Sequence, residues 1–241
     1  MIKVVIFDIG DTLFLNNKAL LKTIKAAPEL KGLKSFGYDF SKKDYDKARF
    51  KSEEFYAALS DNKKLQHMVF DLLMLKAFGI KQSKKIAKEM DNHFRKEYLK
   101  NLKIMPNAKS LLSYLKKQRV VLCIITNANT DFGKDMVKKF KINHYFKHLL
   151  ISYQLGYQKR KIEPFHILLK ILNKNRKQKI KSNECLMVGN NVKEDAAAKH
   201  AGMKVAILTT QMYFKELIKE MKPDYLIKDL MEVKKIVEEN Q

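Results

Sequence analysis

The run Val4-Val5-Ile6-Phe7 is apolar without interruption, ends in Asp8, and passes at once into Ile9-Gly10-Asp11-Thr12-Leu13. Four or five apolar residues bounded by a turn signal predict a buried strand, here residues 3–7. An acid at the carboxyl end of such a strand lies where open α/β sheets bind their ligands. That place suits a nucleophile or a metal ligand. An Asp that merely starts a turn has the same local sequence. Asp8 therefore gains its weight from residues far along the chain.

Beyond this strand the chain alternates between helix and strand signals, with one long interruption. From about 16 to 105 the patterns are helical. Leu65, Met68, Val69, Leu72 and Leu75 recur at helix spacing, as do Phe50, Phe55 and Ala58. Ser41 is a helix cap before Asp44, Gly79 is a stop signal, and Ser83 starts a further helix through Tyr98. After Pro106 helices and strands take turns. The expected helices are Ala108–Lys117, Asp131–Phe140, Pro164–Leu172, Lys193–Ala201, Tyr213–Met221 and Asp229–Glu239. The expected strands are Val120–Ile125, His148–Ile151, Cys185–Val188, Lys204–Leu208 and Tyr225–Ile227. Such alternation predicts an α/β fold, a Rossmann-like parallel sheet with helices on both faces. Residues 1–15 and 106–241 would form this core domain, and residues 16–105 an inserted helical cap domain.

A chain of 241 residues with 46% hydrophobic content can bury a sizeable core. No apolar run approaches the roughly 20 residues that span a bilayer, and no signal-peptide pattern opens the chain. A cytoplasmic protein with no membrane partner is expected, as a monomer or a homodimer. Cys123 and Cys185 fall in apolar runs and read as small core residues, not as a disulfide or zinc framework. The net charge of +23 raises a nucleic-acid role. Nearly all of the excess is Lys, spread along the chain, whereas Arg is the preferred reader of phosphates and base edges. The densest run, Lys174 to Lys181, lies between a helix and a strand and reads as a solvated loop. No specific nucleic-acid partner is expected, only non-specific attraction to polyanions at low salt.

Four polar sites fall at the carboxyl ends of the expected strands or in loops beside them. They are Asp8, then Thr126-Asn127, then Lys159 in Gly156-Tyr157-Gln158-Lys159, and last Gly189-Asn190-Asn191-Val192-Lys193-Glu194-Asp195. Strand ends of one parallel sheet converge on one edge. Each site alone has a plainer explanation. Thr126 fits a helix cap, Lys159 a solvated lysine, and Asp195 a first-turn acid that suits the helix dipole. The ordered set is much harder to produce by accident.

In that order and context the chain resembles the haloacid dehalogenase superfamily of hydrolases, with a helical cap inserted after the first motif. The resemblance covers essentially the full length. Asp8, Thr12 and Leu13 match the first motif, Thr126 the second and Lys159 the third, with Ser152 fitting the same loop. Gly189, Asp195, Ala197 and Ala201-Gly202 match the fourth. The resemblance implies an Mg²⁺-dependent phosphomonoester hydrolase acting on a small phosphorylated metabolite through an aspartyl-phosphate on Asp8. The implied catalytic residues are Asp8, Thr126 and Lys159. Ile9, Gly10, Thr126, Asn127 and Lys159 would bind phosphate. Asp8, the Gly10 carbonyl, Asn190 and Asp195 would hold the metal.

Two residues depart from the family pattern. Gly10 stands where the family's phosphatases have an Asp that protonates the leaving group, help typically worth ~10²–10⁴-fold in rate. Asp11 is one residue further on and takes that role only if the turn differs. Asn190 replaces the first acid of the fourth motif, leaving a neutral carbonyl for the metal. These changes imply a slow phosphatase. The alternatives are a phosphonate hydrolase with an imine-forming cap lysine, a haloacid dehalogenase-type hydrolase, or a catalytically weak ligand-binding protein of the same fold.

Overall fold

The structure, a computed structural model, describes residues 1–209 and 215–240. Strand β1 (Val4–Phe7) leads into helices α1 (Asn16–Ala26), α2 (Glu29–Lys34), α3 (Lys42–Ala57), α4 (Asp61–Lys64), α5 (Val69–Ala77) and α6 (Lys84–Asn101). Then follow α7 (Ala108–Lys117), β2 (Val121–Thr126), α8 (Phe132–Lys139), β3 (Phe146–Ile151), α9 (Ser152–Leu155) and α10 (Glu163–Asn173). The chain continues through β4 (Cys185–Gly189), α11 (Val192–Asp195), β5 (Lys204–Leu208), α12 (Lys215–Met221), β6 (Tyr225–Ile227) and α13 (Glu232–Glu238). Contacts divide the chain into two compact units. One is Met1–Leu15 with Ile104–Gln241, the other Asn16–Lys103.

The first unit is a parallel sheet in the order β3-β2-β1-β4-β5-β6. β1 is central, with Phe7 beside Ile124 of β2 on one flank and Val188 of β4 on the other. Its four residues are buried without alternation, as a strand covered on both faces requires. Successive side chains point to opposite faces. Val4 and Ile6 pack with Cys123, Met187 and Val205 under Phe165, Leu168 and Leu172 of α10. Val5 and Phe7 therefore face the other side. The carboxyl ends of β1, β2 and β4 lie side by side, at the place where the strand order reverses.

Several local expectations are corrected. The helix expected over Lys193–Ala201 is α-helical only to Asp195, and Ala196–Ala201 winds as a 3-10 helix. Its alanines let this tighter turn pack closely on β5, and Gly202 closes it with φ 75°. β3 starts two residues earlier than expected, at Phe146, and α13 starts at Glu232 instead of Asp229. Asp229 instead accepts from the backbone N–H of Met231 at 2.7 Å, which fits a turn residue. Tyr213 and Phe214, the start of an expected helix, lie outside the described residues.

In the helical unit the core is built from Leu33, Tyr45, Met74, Leu75 and Met90. Ser41 does cap α3, in a reciprocal capping box with Asp44. Phe50 lies in α3, as its spacing predicts, but is 66% exposed, because α3 turns Tyr45, Ala48 and Ser52 inward instead. Leu65 and Met68 are a correction. Met68 takes a left-handed backbone at φ 58° and precedes α5 without joining it. No described helix is long and apolar enough to cross a membrane.

Candidate active site

Asp8 comes directly after β1, and its N–H donates to the Val188 carbonyl at 2.9 Å, extending the β1–β4 pairing by one residue. The chain then turns sharply. The N–H groups of Leu13 and Phe14 both donate to the Ile9 carbonyl, at 3.0 and 3.2 Å. Asp11 sits in this turn with φ 53°, a left-handed conformation that Asp tolerates better than most residues. Gly133 of α8 makes room for the Ile9 side chain. A Cβ there would lie 2.8 Å from Ile9 Cδ1 and 3.6 Å from Thr126 Cγ2. Ile9, Thr126 and α8 are thereby packed together beside the Asp8 turn.

Lys159, from the loop between α9 and α10, reaches into this edge and is only 3% exposed. Its Nζ lies 2.5 Å from Asp8 Oδ1 and 2.6 Å from Asp195 Oδ1. One buried ammonium thus joins two buried carboxylates that stand 187 residues apart in sequence. Burial and the neighbouring Asp195 charge raise the Asp8 carboxyl, against the pull of Lys159, to about 6. Burial works against the charged lysine, but the two carboxylates outweigh it and keep Lys159 firmly protonated.

Asp195 is fully buried, and its Oδ2 accepts from the Asn191 N–H at 2.9 Å. Gly189 is what makes this possible. A Cβ at that position would lie 2.1 Å from Asp195 Oδ2. Asn190 approaches the turn after β1 from the same loop, where its Oδ1 accepts from the Thr12 hydroxyl at 3.3 Å. Asn127, just past β2, accepts from the Lys159 N–H through Oδ1 at 2.8 Å and donates through Nδ2 to Glu194 at 2.5 Å. Ser152 is buried and both accepts from and donates to the main chain of Ala128, at 3.0 Å each.

The geometry brings Asp8, Lys159 and Asp195 into direct contact, links Asn127 to Lys159, and sets Asn190 against Thr12. The two acids of the fourth loop separate, Asp195 going to Lys159 and Glu194 to Asn127. Sequence reasoning missed the bridging side chain of Asn127 and the cap made by Asn191, whose Oδ1 accepts from the Glu194 N–H at 3.2 Å. An Asn just before a helix was a legible cap signal for the latter.

The ligands expected from the sequence, namely the carboxylates of Asp8 and Asp195, the amide of Asn190 and the carbonyl of Gly10, offer only oxygens, and no group of three His, Cys, Asp or Glu residues placed to hold a metal occurs among the described residues. An all-oxygen set fits a hard cation of the Mg²⁺ kind, which keeps several of its waters and needs few carboxylates. The thiols of Cys123 and Cys185 lie inside the sheet, where burial pushes both up to about 12, and they offer no soft ligand.

Comparison with known proteins agrees with this architecture. The chain is 32% identical over 143 residues to a phosphoglycolate phosphatase of Pasteurella multocida, a match spanning 59% of this chain and 61% of that protein. It is 27% identical over 217 residues to a glyceraldehyde 3-phosphate phosphatase of Methanothermobacter thermautotrophicus, across 88% of each. The crystal structure of a 2-haloacid dehalogenase from Pseudomonas syringae superposes over all of both chains with a TM-score of 0.72 at 20% identity, a likeness of fold. A sequence model described as haloacid dehalogenase-like hydrolase matches residues 2–202, which hold every strand end that builds the site. With motif order, sheet topology and this match in agreement, the chain belongs to the haloacid dehalogenase-like hydrolase family.

Proposed function

We propose that this chain is an Mg²⁺-dependent phosphomonoester hydrolase for a small phosphorylated metabolite, with Asp8 as nucleophile. The observation that carries the reading is the buried Asp8–Lys159–Asp195 trio at the carboxyl edge of the sheet. The phosphatase names of its relatives support the same class of substrate. An Asp8 oxygen forms a bond to phosphorus as the bond to the leaving oxygen breaks. Water then attacks phosphorus, releasing inorganic phosphate and restoring the carboxylate. Lys159 holds the Asp8 oxygen in place and offsets phosphate charge. Thr126 and the N–H groups of Ile9, Gly10 and Asn127 bind the non-bridging oxygens. Asp8, the Gly10 carbonyl, Asn190 and Asp195 would hold Mg²⁺, which supplies neutralisation of phosphate charge when bound.

Gly10 gives the leaving group no acid, which makes the reaction slow relative to one with general acid help worth ~10²–10⁴-fold. The helical unit Asn16–Lys103 enters the chain just after the Asp8 turn, and its place there supports reading it as a cap domain that selects the substrate. The test is phosphate release from a panel of small phosphomonoesters with Mg²⁺. Asp8→Asn and chelation should each abolish it. Release that survives Asp8→Asn overturns the reading. No release from any ester by the native chain favours the phosphonate hydrolase or ligand-binding alternatives that Gly10 and Asn190 bring in.

A further inference from the structure

We propose that the side chains of Asn127 and Glu194 form a positioning clamp that sets where the Lys159 ammonium stands relative to Asp8; this rests on the phosphatase reading above. The Asn127 amide is oriented without ambiguity. Its oxygen meets an N–H and its nitrogen meets a carboxylate, and the reverse orientation would lose both bonds. The bond to Lys159 goes to the main chain, so it fixes the Cα from which the side chain reaches the carboxylates. A lysine stem is flexible, and a fixed base shortens the list of places its ammonium visits.

The clamp has three points. Asn127 holds the Lys159 loop, Glu194 holds Asn127, and buried Ser152 pins Ala128 through both of its main-chain polar groups. Together they tie the loops that come after β2, β3 and β4. Glu194 and Asp195 are adjacent on α11, and one helical step of about 100° sends them in different directions. Asp195 is buried on Lys159, while Glu194 is half-buried and turns to the exposed Asn127. The fourth loop thus grips Lys159 twice, once at its ammonium and once through Asn127 at its main chain. Displacement of a catalytic group by about 1 Å can cost ~10²-fold in rate.

Asn127→Asp tests this. It keeps the main chain at 127 and an acceptor for the Lys159 N–H, but sets a carboxylate against Glu194. For the best ester of the panel we expect kcat to fall about 10-fold with KM changed less than about 3-fold. Adding Glu194→Gln supplies an amide donor to the new carboxylate and should restore most of the lost kcat. Native kcat in Asn127→Asp overturns the clamp, because only the main chain of Asn127 would then matter. So does a double variant that melts like the native chain but stays impaired.

A second measurement needs no turnover. In Asn127→Ala, hydrogen exchange in the peptide 156–161 should quicken about 10-fold, with β2 unchanged. Unchanged exchange overturns the clamp. Phosphate release that survives Asp8→Asn would sink the phosphatase reading instead, and the exchange result would still decide on the clamp.

Discussion

Lys159 holds two acids that would otherwise repel each other in a dry environment. Removing one partner of a buried ion pair costs about 3–5 kcal/mol, because the remaining charge has no solvent to fall back on. Lys159→Met should therefore lower the midpoint of thermal unfolding markedly as well as abolish phosphate release. Asp8→Asn should behave in the opposite way for stability. The Asp8 carboxyl is raised to about 6, so at neutral pH its ionised form is disfavoured in the folded chain relative to the unfolded one. Replacing it by a neutral isostere removes that penalty while Lys159 keeps Asp195. The metal-free Asp8→Asn chain should melt no lower than the native one while losing its activity. A clear drop in its melting temperature would contradict this account of the trio.

At the scale of elements, the fourth loop depends on a single missing Cβ. β4 ends in Gly189, and the turn of α11 brings Asp195 back across it. An added methyl would meet the carboxylate at 2.1 Å, so either the loop moves or Asp195 leaves Lys159. Gly189→Ala should destabilise the chain by about 1–3 kcal/mol, the usual cost of overpacking. It should also weaken binding of Mn²⁺, a spectroscopic stand-in for Mg²⁺, followed by electron paramagnetic resonance. Native Mn²⁺ affinity in this variant would separate Asp195 from the metal. The tight 3-10 winding of Ala196–Ala201 belongs to the same design, since small residues let that segment lie on β5 with Asp195 at its start.

At the scale of the whole molecule, the helical unit makes stability depend on pH. Glu29 is buried there with the Tyr45 hydroxyl 3.1 Å from both of its oxygens and Arg49 at 3.5 Å. Burial outweighs these partners and raises its carboxyl from 4.5 to about 7, and Asp71 is shifted in the same direction, also by burial. A carboxyl raised in the folded state binds its proton more tightly there than in the unfolded chain. Its contribution is intact below about 4.5 and is lost as pH rises towards 7, by about 3 kcal/mol for a shift of this size. Glu29→Gln should flatten the fall in unfolding free energy across that window. A slope unchanged by the substitution would exclude Glu29 as its source. Most of the lysines behind the +23 charge are solvated, and their attraction for polyanions should weaken steeply as salt rises.

Much of this molecule was written in local patterns. The buried run Val4–Phe7 and the alternation after Pro106 specify a parallel sheet, because apolar period and turn residues act over a few neighbours. That Asp8, Lys159 and Asp195 share one edge was legible for the same reason, since each follows a strand whose end reaches that edge, while Thr126 closes β2 itself. The sequence could not separate the tasks of Glu194 and Asp195, or show that the Asn127 amide spans two loops. Those depend on the phase of one helical turn and on loops brought together from residues 127, 159 and 194. Nor could periodicity show that Met68 breaks its helix or that Phe50 faces solvent, because the choice of buried face is made by competing neighbours. Composition and local pattern determined the sheet and the residues at its edge. Only tertiary structure decided which of those residues touch, because contacts that span from 32 to 178 residues are set by packing and not by sequence spacing.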